Sequence, residues 1–279
     1  MSNSYFDIGL NASRSYIVDE AAGYICPMCI NIIRDMAGLT KEHVPPESLG
    51  GTVLCLSCEV CNKRSGYTID AAMHERLEMS KIIRTGTTRR HVQLKIKNVT
   101  VNASIKRKGE CADLILNKKN NDPKKVREFV ERARVPGNEL QVWYKNKFSE
   151  RQALVGYLRT AYLYAFAKFG YAYILQECLN PIRSQIAKPS DKIIWQWWLR
   201  RKEDLDTKMM YVCDEPINCL LVAINEHIIV LPWINEPYNQ YERIKELTRS
   251  TSQNDFIGKF HVTHSCLTPT RMELAFDPK

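Results

Sequence analysis

Two Cys-x-x-Cys pairs constrain the fold of this chain more than any other feature of its sequence. Cys26 and Cys29 form the first pair, and Cys58 and Cys61 form the second. Two thiolate pairs separated by a segment of this length are typical of a tetrahedral zinc site, in which four cysteines close the coordination shell of the metal. A closed shell leaves no position for a substrate. The sequence therefore predicts a structural zinc ion rather than a catalytic one.

A further cysteine leaves the composition of the second pair open. Cys55, Cys58 and Cys61 follow one another at intervals of three residues. Either Cys55 with Cys58 or Cys58 with Cys61 therefore has the spacing of a metal-binding pair, and the residues alone do not choose between them.

The segment between the two pairs contains more special residues than a plain zinc ribbon needs. It holds Glu42-His43, Pro45-Pro46 and Gly50-Gly51, and Asn62 directly follows the last cysteine. This order of residues resembles the HNH nucleases of the His-Me finger (ββα-metal) class, in the variety that contains a four-cysteine zinc site. The resemblance is confined to the segment Cys26–Gly66 of the 279-residue chain.

The resemblance implies a role for each residue of the motif. It makes His43 the general base that activates water, and it makes Glu42 and Asn62 the ligands of one catalytic Mg²⁺ or Mn²⁺. It also favours Cys58 and Cys61 over Cys55 as zinc ligands. A histidine with an ordinary pKa of about 6.5 suits a base at neutral pH, and Mg²⁺ typically takes one or two protein oxygen ligands.

Other interpretations of these residues stay open. Glu42 also fits a solvated surface carboxylate, and Asn62 also fits the cap of a helix that starts after the cysteines. Successive side chains of a strand point to opposite faces, so Glu42 shares a site with His43 only if the strand is irregular there. Most of the family carries a second Asn before the last cysteine pair. This chain has Thr52 instead, whose hydroxyl is a candidate substitute.

The charge of the chain is concentrated in one block. The net charge is +9, yet residues 76–134 contain 17 Lys and Arg against six Asp and Glu, which is +11 for this block alone. A basic block beside a nuclease-like motif indicates a nucleic-acid partner, although a solvated lysine-rich surface has the same composition. The residues that we expect to contact nucleic acid are Lys63, Arg64, Arg89, Arg90, Lys106 and Arg107.

The hydrophobic patterns predict an α+β protein, with a small ββα-metal module that contains the zinc site and a mixed α+β C-terminal domain. We expect an N-terminal lead at 1–22, the HNH module at 23–85 and an accessory domain at 86–279. The accessory domain divides into a basic β-rich part at 86–149, a helix-rich part at 150–208 and a β-rich end at 209–279. Period-two alternation from His91 predicts paired strands, and apolar spacing predicts a helix from Glu150 to Leu179.

Composition limits where such a protein acts. The sequence has no run of eighteen apolar residues and no apolar leader near Met1, so we expect no membrane span and no secretion. Ten cysteines without a disulfide-like framework suit the reducing cytoplasm.

Two functions fit the sequence. The first is a metal-dependent HNH endonuclease that cuts nucleic acid, with double-stranded DNA expected from the family and a role in restriction or phage defence by analogy. The second is a non-catalytic nucleic-acid-binding module held together by zinc. The sequence leaves open whether a partner protein or a second copy of the chain takes part.

Overall fold

A computed structural model describes residues 2–17, 22–84, 89–108, 111–143, 148–214, 217–233, 241–243, 245–246 and 262–274. Helices and strands alternate irregularly along the chain and the sheets are small, so the fold is mixed α+β as predicted. The chain divides into two compact units. Unit 1 contains Met1–Met73 and Glu150–Lys279, and unit 2 contains His74–Ser149.

Unit 1 begins with a helix that the sequence did not indicate. Helix α1 spans Ser2–Ser13, and its most deeply buried positions are Gly9 and Ser13. A Cβ atom on Gly9 would lie 2.3 Å from the ring of Tyr24, so this helix approaches strand β1 (Tyr24–Ile25) very closely. Small residues on the buried face allow this contact, and they also remove the apolar periodicity by which a helix is predicted.

The motif segment folds as two antiparallel strands followed by a helix. Strand β2 (Ile32–Ile33) pairs with β1, and β3 (Leu39–Val44) pairs with β4 (Thr52–Cys58). Helix α2 (Glu59–Ser65) starts directly after β4, a π-helical turn covers Gly66–Asp70, and α3 (Ala71–Arg84) follows.

Helix α5 (Glu150–Phe169) forms the centre of unit 1 and is buried on nearly all sides. The sequence predicted one helix as far as Leu179, but Gly170 adopts a positive φ of 68° and ends α5. Two short helices follow, α6 (Tyr171–Ile174) and α7 (Asn180–Ala187). Asn180-Pro181 starts α7 instead of ending a helix, because proline fits the first turn of a helix, where the missing N–H has no partner to lose.

Three strands complete unit 1. The central strand is β9 (Trp198–Asp214), which pairs antiparallel with both β10 (Ile217–Pro232) and β11 (Val262–Leu267). The charged residues 200–202 lie within β9. Trp197 is buried in the core and Trp195 is exposed, so these two tryptophans do not form one aromatic surface.

Unit 2 is a four-stranded antiparallel sheet covered on one face by a helix. The strand order is β7 (Cys111–Leu116), β6 (Val99–Lys108), β5 (Arg90–Ile96) and β8 (Gln141–Trp143). Helix α4 (Pro123–Ala133) packs Phe129 against the apolar face of the sheet. The pairing of β5 with β6 agrees with the paired strands that the alternation from His91 predicted.

The observed division differs from the predicted domain boundaries. The helix-rich segment that starts at Glu150 was assigned to the accessory domain, but α5 shares one core with the strands of the motif segment. Within the predicted accessory domain, only the basic β-rich part separates from unit 1. No helix in the described part of the chain is long and apolar enough to cross a membrane.

Candidate functional site

Four cysteines of unit 1 come together in one cluster. The sulfur atoms of Cys26, Cys29, Cys58 and Cys61 all lie within 4.8 Å of one another, close enough to bind a metal ion. Cys55 lies outside the cluster and is fully buried in β4. This settles the pairing that spacing left open, since Cys58 and Cys61 complete the cluster and Cys55 serves as an apolar core residue.

Backbone turns shape the cluster. The N–H of Ile30 donates to the carbonyl of Cys26 over 2.9 Å, and Ile30 itself adopts a positive φ of 62°, which folds the first pair into a tight turn. The N–H of Cys58 donates to Cys26 Sγ over 3.3 Å. This bond joins the two pairs and stabilises negative charge on the sulfur atom.

Tyrosine side chains hold the first cysteine pair against helices α5 and α6. The hydroxyl of Tyr162 donates to the carbonyl of Pro27 over 2.6 Å, and that of Tyr171 donates to the carbonyl of Ile25 over 3.2 Å. Both side chains are buried. They therefore serve packing and backbone anchoring, and they are not accessible to nucleic-acid bases.

His43 and Asn62 lie on neighbouring elements of the ββα arrangement. His43 is on β3 opposite Val53 and is half-buried. Asn62 is on α2, and its Nδ2 group donates to Thr40 Oγ1 over 2.7 Å and to the carbonyl of Lys41 over 3.1 Å. Asn62 therefore ties α2 to β3 near His43. It does not cap α2, because the residue at the N-cap is Cys58.

A β-bulge separates Glu42 from His43. Glu42 pairs with Cys55 and His43 pairs with Val53, so the register shifts between these two residues. Strand β3 is thus irregular between Glu42 and His43, which is the condition under which the two side chains could share a site. The irregularity does not bring Glu42 into an open site, because only 2% of Glu42 is exposed.

Glu42 instead belongs to a buried charge network. Its Oε1 atom is bound by the Arg159 guanidinium of α5, and its Oε2 atom accepts a hydrogen bond of 2.6 Å from Ser57 Oγ. Arg159 also bonds Asp70 Oδ1 over 2.8 Å. Both oxygens of Glu42 are engaged inside the core, so it is neither the surface carboxylate nor the open metal ligand that the sequence suggested.

Burial and charge oppose each other in this network. Burial raises the pKa of Glu42, while Arg159 and the hydrogen bond from Ser57 act to lower it. Burial acts to lower the pKa of Arg159, but the two carboxylates outweigh it and leave that pKa raised. Burial and the negative charge of Glu42 also raise the pKa of Cys55 well above its ordinary value, so Cys55 remains a neutral thiol.

The loop after His43 explains the Gly-Gly pair of the motif. Gly50 adopts a positive φ of 82°, which favours glycine. A Cβ atom on Gly51 would lie 1.5 Å from the carbonyl oxygen of Pro45, so no larger residue fits there. Thr52, the candidate substitute for the missing Asn, is exposed, and its hydroxyl has no hydrogen bond to any described residue. Tyr5 of α1 instead contacts this region, donating to the carbonyl of Val53 over 3.2 Å.

The predicted nucleic-acid contacts have different surroundings. Lys63 is exposed and forms an ion pair with Glu59. Arg64 lines a cavity of about 490 Å³ beside Cys29 and Cys61, and Arg183 lines the same cavity. Arg89 and Lys106 are exposed in unit 2. The side chains of Arg90 and Arg107 lie outside the described part of the structure.

Sequence reasoning missed Arg159, Ser57 and Tyr5. No local motif surrounds these residues, and each contacts the motif segment only through the tertiary fold. A single signal was present, since Arg159 is a charged residue within an otherwise apolar helical stretch.

Comparisons with known proteins give this site no relative. A scan against models of protein families, a search of curated proteins and a search of solved structures each found no match. The interpretation of the site therefore depends on its own geometry and on the motif.

A prediction about stability concerns Arg159. Replacing it with methionine (Arg159→Met) leaves Glu42 and Asp70 without their cation, and removing one partner of a buried pair costs about 3–5 kcal/mol. We expect the free energy of unfolding in urea to fall by that amount. The matched control is Lys168→Met on the same helix, which removes a partly exposed ion pair with Glu273 and costs about 0–1 kcal/mol.

Removing the charge of Glu42 as well, in Arg159→Met/Glu42→Gln, should restore part of the lost stability. Equal losses for Arg159→Met and Lys168→Met would show that the buried network has no special importance.

A second prediction concerns the two glycines. Gly51→Ala should destabilise unit 1 by several kcal/mol, because a methyl group has no space beside the Pro45 carbonyl. Gly50→Asn should cost far less, because asparagine tolerates a positive φ and nothing lies within 4 Å of the added Cβ atom. Thermal unfolding of the two variants compares them, and a larger loss for Gly50→Asn would contradict the packing described here.

Proposed function

We propose that this protein is a metal-dependent endonuclease of the HNH type, in which four cysteines hold a structural zinc ion. The observation that carries the proposal is the ββα arrangement itself. His43 lies on the first strand, Asn62 lies on the helix and donates hydrogen bonds back to that strand, and the cysteine cluster joins the elements. This is the arrangement that the resemblance of the motif implies.

Zinc suits the cysteine cluster. A tetrahedral site with Zn–S bonds of about 2.3 Å places its sulfur atoms about 3.8 Å apart, and Cys29 Sγ and Cys58 Sγ are separated by 3.8 Å. Four thiolates and Zn²⁺ together carry a charge of about −2. Arg64 and Arg183 in the adjacent cavity supply positive charge that offsets it.

His43 performs the proton transfer in this proposal. A half-buried histidine without a carboxylate partner among the described residues can accept a proton from an attacking water. Asn62 uses its Nδ2 group to bind β3, so its Oδ1 atom is the protein oxygen available to a divalent cation. When bound, Mg²⁺ or Mn²⁺ would stabilise the charge that develops on the phosphate and the leaving oxygen.

The structure changes one element of the mechanism that the resemblance implies. Because both oxygens of Glu42 are engaged in the core, we remove Glu42 from the set of metal ligands and give it a positioning role. Mg²⁺ takes few protein ligands and completes its shell with water and phosphate, so one protein oxygen is compatible with weak metal binding. DNA stays the expected substrate on family grounds, and a cytoplasmic role in restriction or phage defence is analogy.

A non-catalytic zinc-containing module that binds nucleic acid is the second candidate function. The engagement of Glu42 in the core favours it, and so does the lack of a hydrogen bond between the Thr52 hydroxyl and any described residue, because both positions carry catalytic roles in the family. The Gly51 turn and the bulge before His43 favour the nuclease, because a binding module does not need them.

The zinc site gives a direct prediction. We expect elemental analysis of protein purified without chelators to find about one zinc ion per chain. Cys26→Ser should abolish zinc binding and unfold unit 1, because structural zinc contributes on the order of 10 kcal/mol in small domains. The matched control is Cys55→Ser, which should lower stability but keep the zinc. Protein that contains no zinc would exclude this site.

The mechanism predicts a selective loss in His43→Ala. Cleavage of a plasmid with Mg²⁺ or Mn²⁺ should fall by about 10²–10⁴-fold, the usual contribution of a general base, while zinc content and folding stay unchanged. Higher metal concentrations should partly restore Asn62→Ala but not His43→Ala, because a missing base is not a missing ligand.

His74→Ala is the matched control for this experiment and should cut like the wild type. Equal cleavage by wild type and His43→Ala would assign the activity to another site. If wild-type protein cuts no nucleic acid with any divalent metal, the binding-module function replaces the nuclease.

A further inference from the structure

The sheet of unit 2 has one apolar face and one polar face. Along β5, Val92, Leu94 and Ile96 are buried on the side of α4, while the alternate residues His91 and Gln93 are exposed. Because side chains of a strand alternate, all odd-numbered residues of β5 share the face opposite the helix. No described helix of unit 2 covers that face.

Polar and aromatic side chains line a cavity on this open face. Gln93 pairs across the sheet with Asn102 on one side and with Trp143 on the other, so the three residues form one row. His91 and Ser104 form the next row. The cavity measures about 460 Å³, and its lining includes His91, Gln93, Asn102, Asn117, Asn120 and Trp143. None of the described lining residues is acidic.

A hydrogen-bond network fixes the floor of the cavity. Asn121 accepts a bond of 2.6 Å from the N–H of Asn102 and donates to the Asn102 carbonyl over 2.7 Å. Asn102 Nδ2 donates to the carbonyl of Asn120 over 2.7 Å, and its Oδ1 accepts from Gln93 Nε2 over 3.4 Å. The loop that contains Asn117 is thereby fastened to β6, so the polar groups are positioned before any ligand arrives.

The same network leaves several polar atoms for a ligand. His91 Nδ1 lies 3.2 Å from Ser104 Oγ and 3.4 Å from Asn117 Nδ2, so this ring nitrogen is engaged within the network. His91 Nε2 and Gln93 Oε1 have no hydrogen bond to other described residues. Trp143 is 59% exposed, with its Nε1 donating to Gln141 over 3.4 Å, so the flat face of the indole is accessible at the edge of the cavity.

Positive charge lies at both ends of this face. Lys95 is on β5 beyond Gln93, and Lys106 is on β6 beyond Ser104. Arg89 precedes β5 by one residue and is exposed. The only acidic residue paired with these positions in the described sheet is Asp113, opposite Lys106. A chain of phosphates that crosses the face would therefore meet cations before and after the cavity.

We propose that this cavity binds an unpaired base of a single-stranded nucleic acid, with the indole of Trp143 as the stacking surface. Amide groups and an imidazole can form hydrogen bonds with the edge of a base, and aromatic faces stack on bases of any sequence. A base inside a duplex is stacked between its neighbours and cannot enter this cavity without leaving the helix. The site extends the proposed function, because it specifies which part of the nucleic acid unit 2 recognises, and it does not depend on His43 chemistry.

The test measures binding of labelled single-stranded DNA and RNA oligonucleotides to full-length protein that carries His43→Ala, so that cleavage cannot interfere. Adding Trp143→Ala should weaken binding by about 5- to 100-fold, the range found when a base-stacking aromatic is removed. Trp143→Phe should keep most of the affinity, because phenylalanine still stacks. Trp195→Ala, which alters an exposed tryptophan of unit 1, is the matched control and should bind like the parent protein.

Salt and abasic strands separate base binding from phosphate binding. Trp143→Ala should leave the dependence of affinity on salt unchanged, whereas Lys95→Gln should reduce its slope by about 0.7, the value for one phosphate contact on a single strand. Oligonucleotides without bases should bind the parent protein as weakly as normal strands bind Trp143→Ala.

Three results would overturn the proposal: unchanged binding by Trp143→Ala, equal binding of abasic and normal strands, or tighter binding of duplex with equal sensitivity to Trp143→Ala. Circular dichroism of each variant excludes unfolding as the cause of a loss. This experiment measures binding and not cleavage. A protein that binds single strands through Trp143 but cuts no nucleic acid therefore contradicts the proposed endonuclease activity and supports this binding site.

Discussion

The ion pair between Arg159 and Glu42 is the interaction on which the organisation of unit 1 depends. It joins the central helix α5 to strand β3, and its second branch reaches Asp70 at the end of the π-helical turn. A guanidinium group with 2% exposure is costly to desolvate, and it is stable only where carboxylates surround it. The network therefore permits one arrangement of α5, β3 and the helix that follows Asn62.

This network also connects the candidate active site to residues far away in the chain. His43 is adjacent to Glu42, and β4 supplies both Ser57 to the network and Cys58 to the cysteine cluster. Tyr162 and Tyr171 bind the backbone of the first cysteine pair from α5 and α6. A module that elsewhere would be independent is thus part of a larger core, which accounts for the placement of α5 in unit 1.

The two units have different physical characters. Unit 1 contains the buried charges, the cysteine cluster and most of the core, while the basic block of residues 76–134 lies within unit 2. In the proposed function, unit 1 performs the chemistry and the open sheet face of unit 2 binds the strand. Separating chemistry from recognition lets the binding surface stay polar and exposed without weakening the core that positions His43.

The sequence by itself determined the features that depend on local spacing. These features are the two cysteine pairs, the Gly-Gly turn and the period-two alternation in β5 and β6. They can be predicted locally, because turn conformation and strand alternation involve neighbouring residues only. The α+β class and the exclusion of Cys55 from the cluster followed from these patterns and from the family resemblance.

The tertiary structure decided every feature that joins distant residues. The resemblance assigned Glu42 to a metal, because its actual partner Arg159 is 117 residues away and no local pattern indicates it. Helix α1 was missed because its buried face consists of small residues. The end of α5 at Gly170 and the packing of α5 in one core with the motif segment were also decided by contacts between residues far apart in the sequence. Desolvation of a charge and close packing of a glycine depend on what lies across the core, and a linear pattern does not record that.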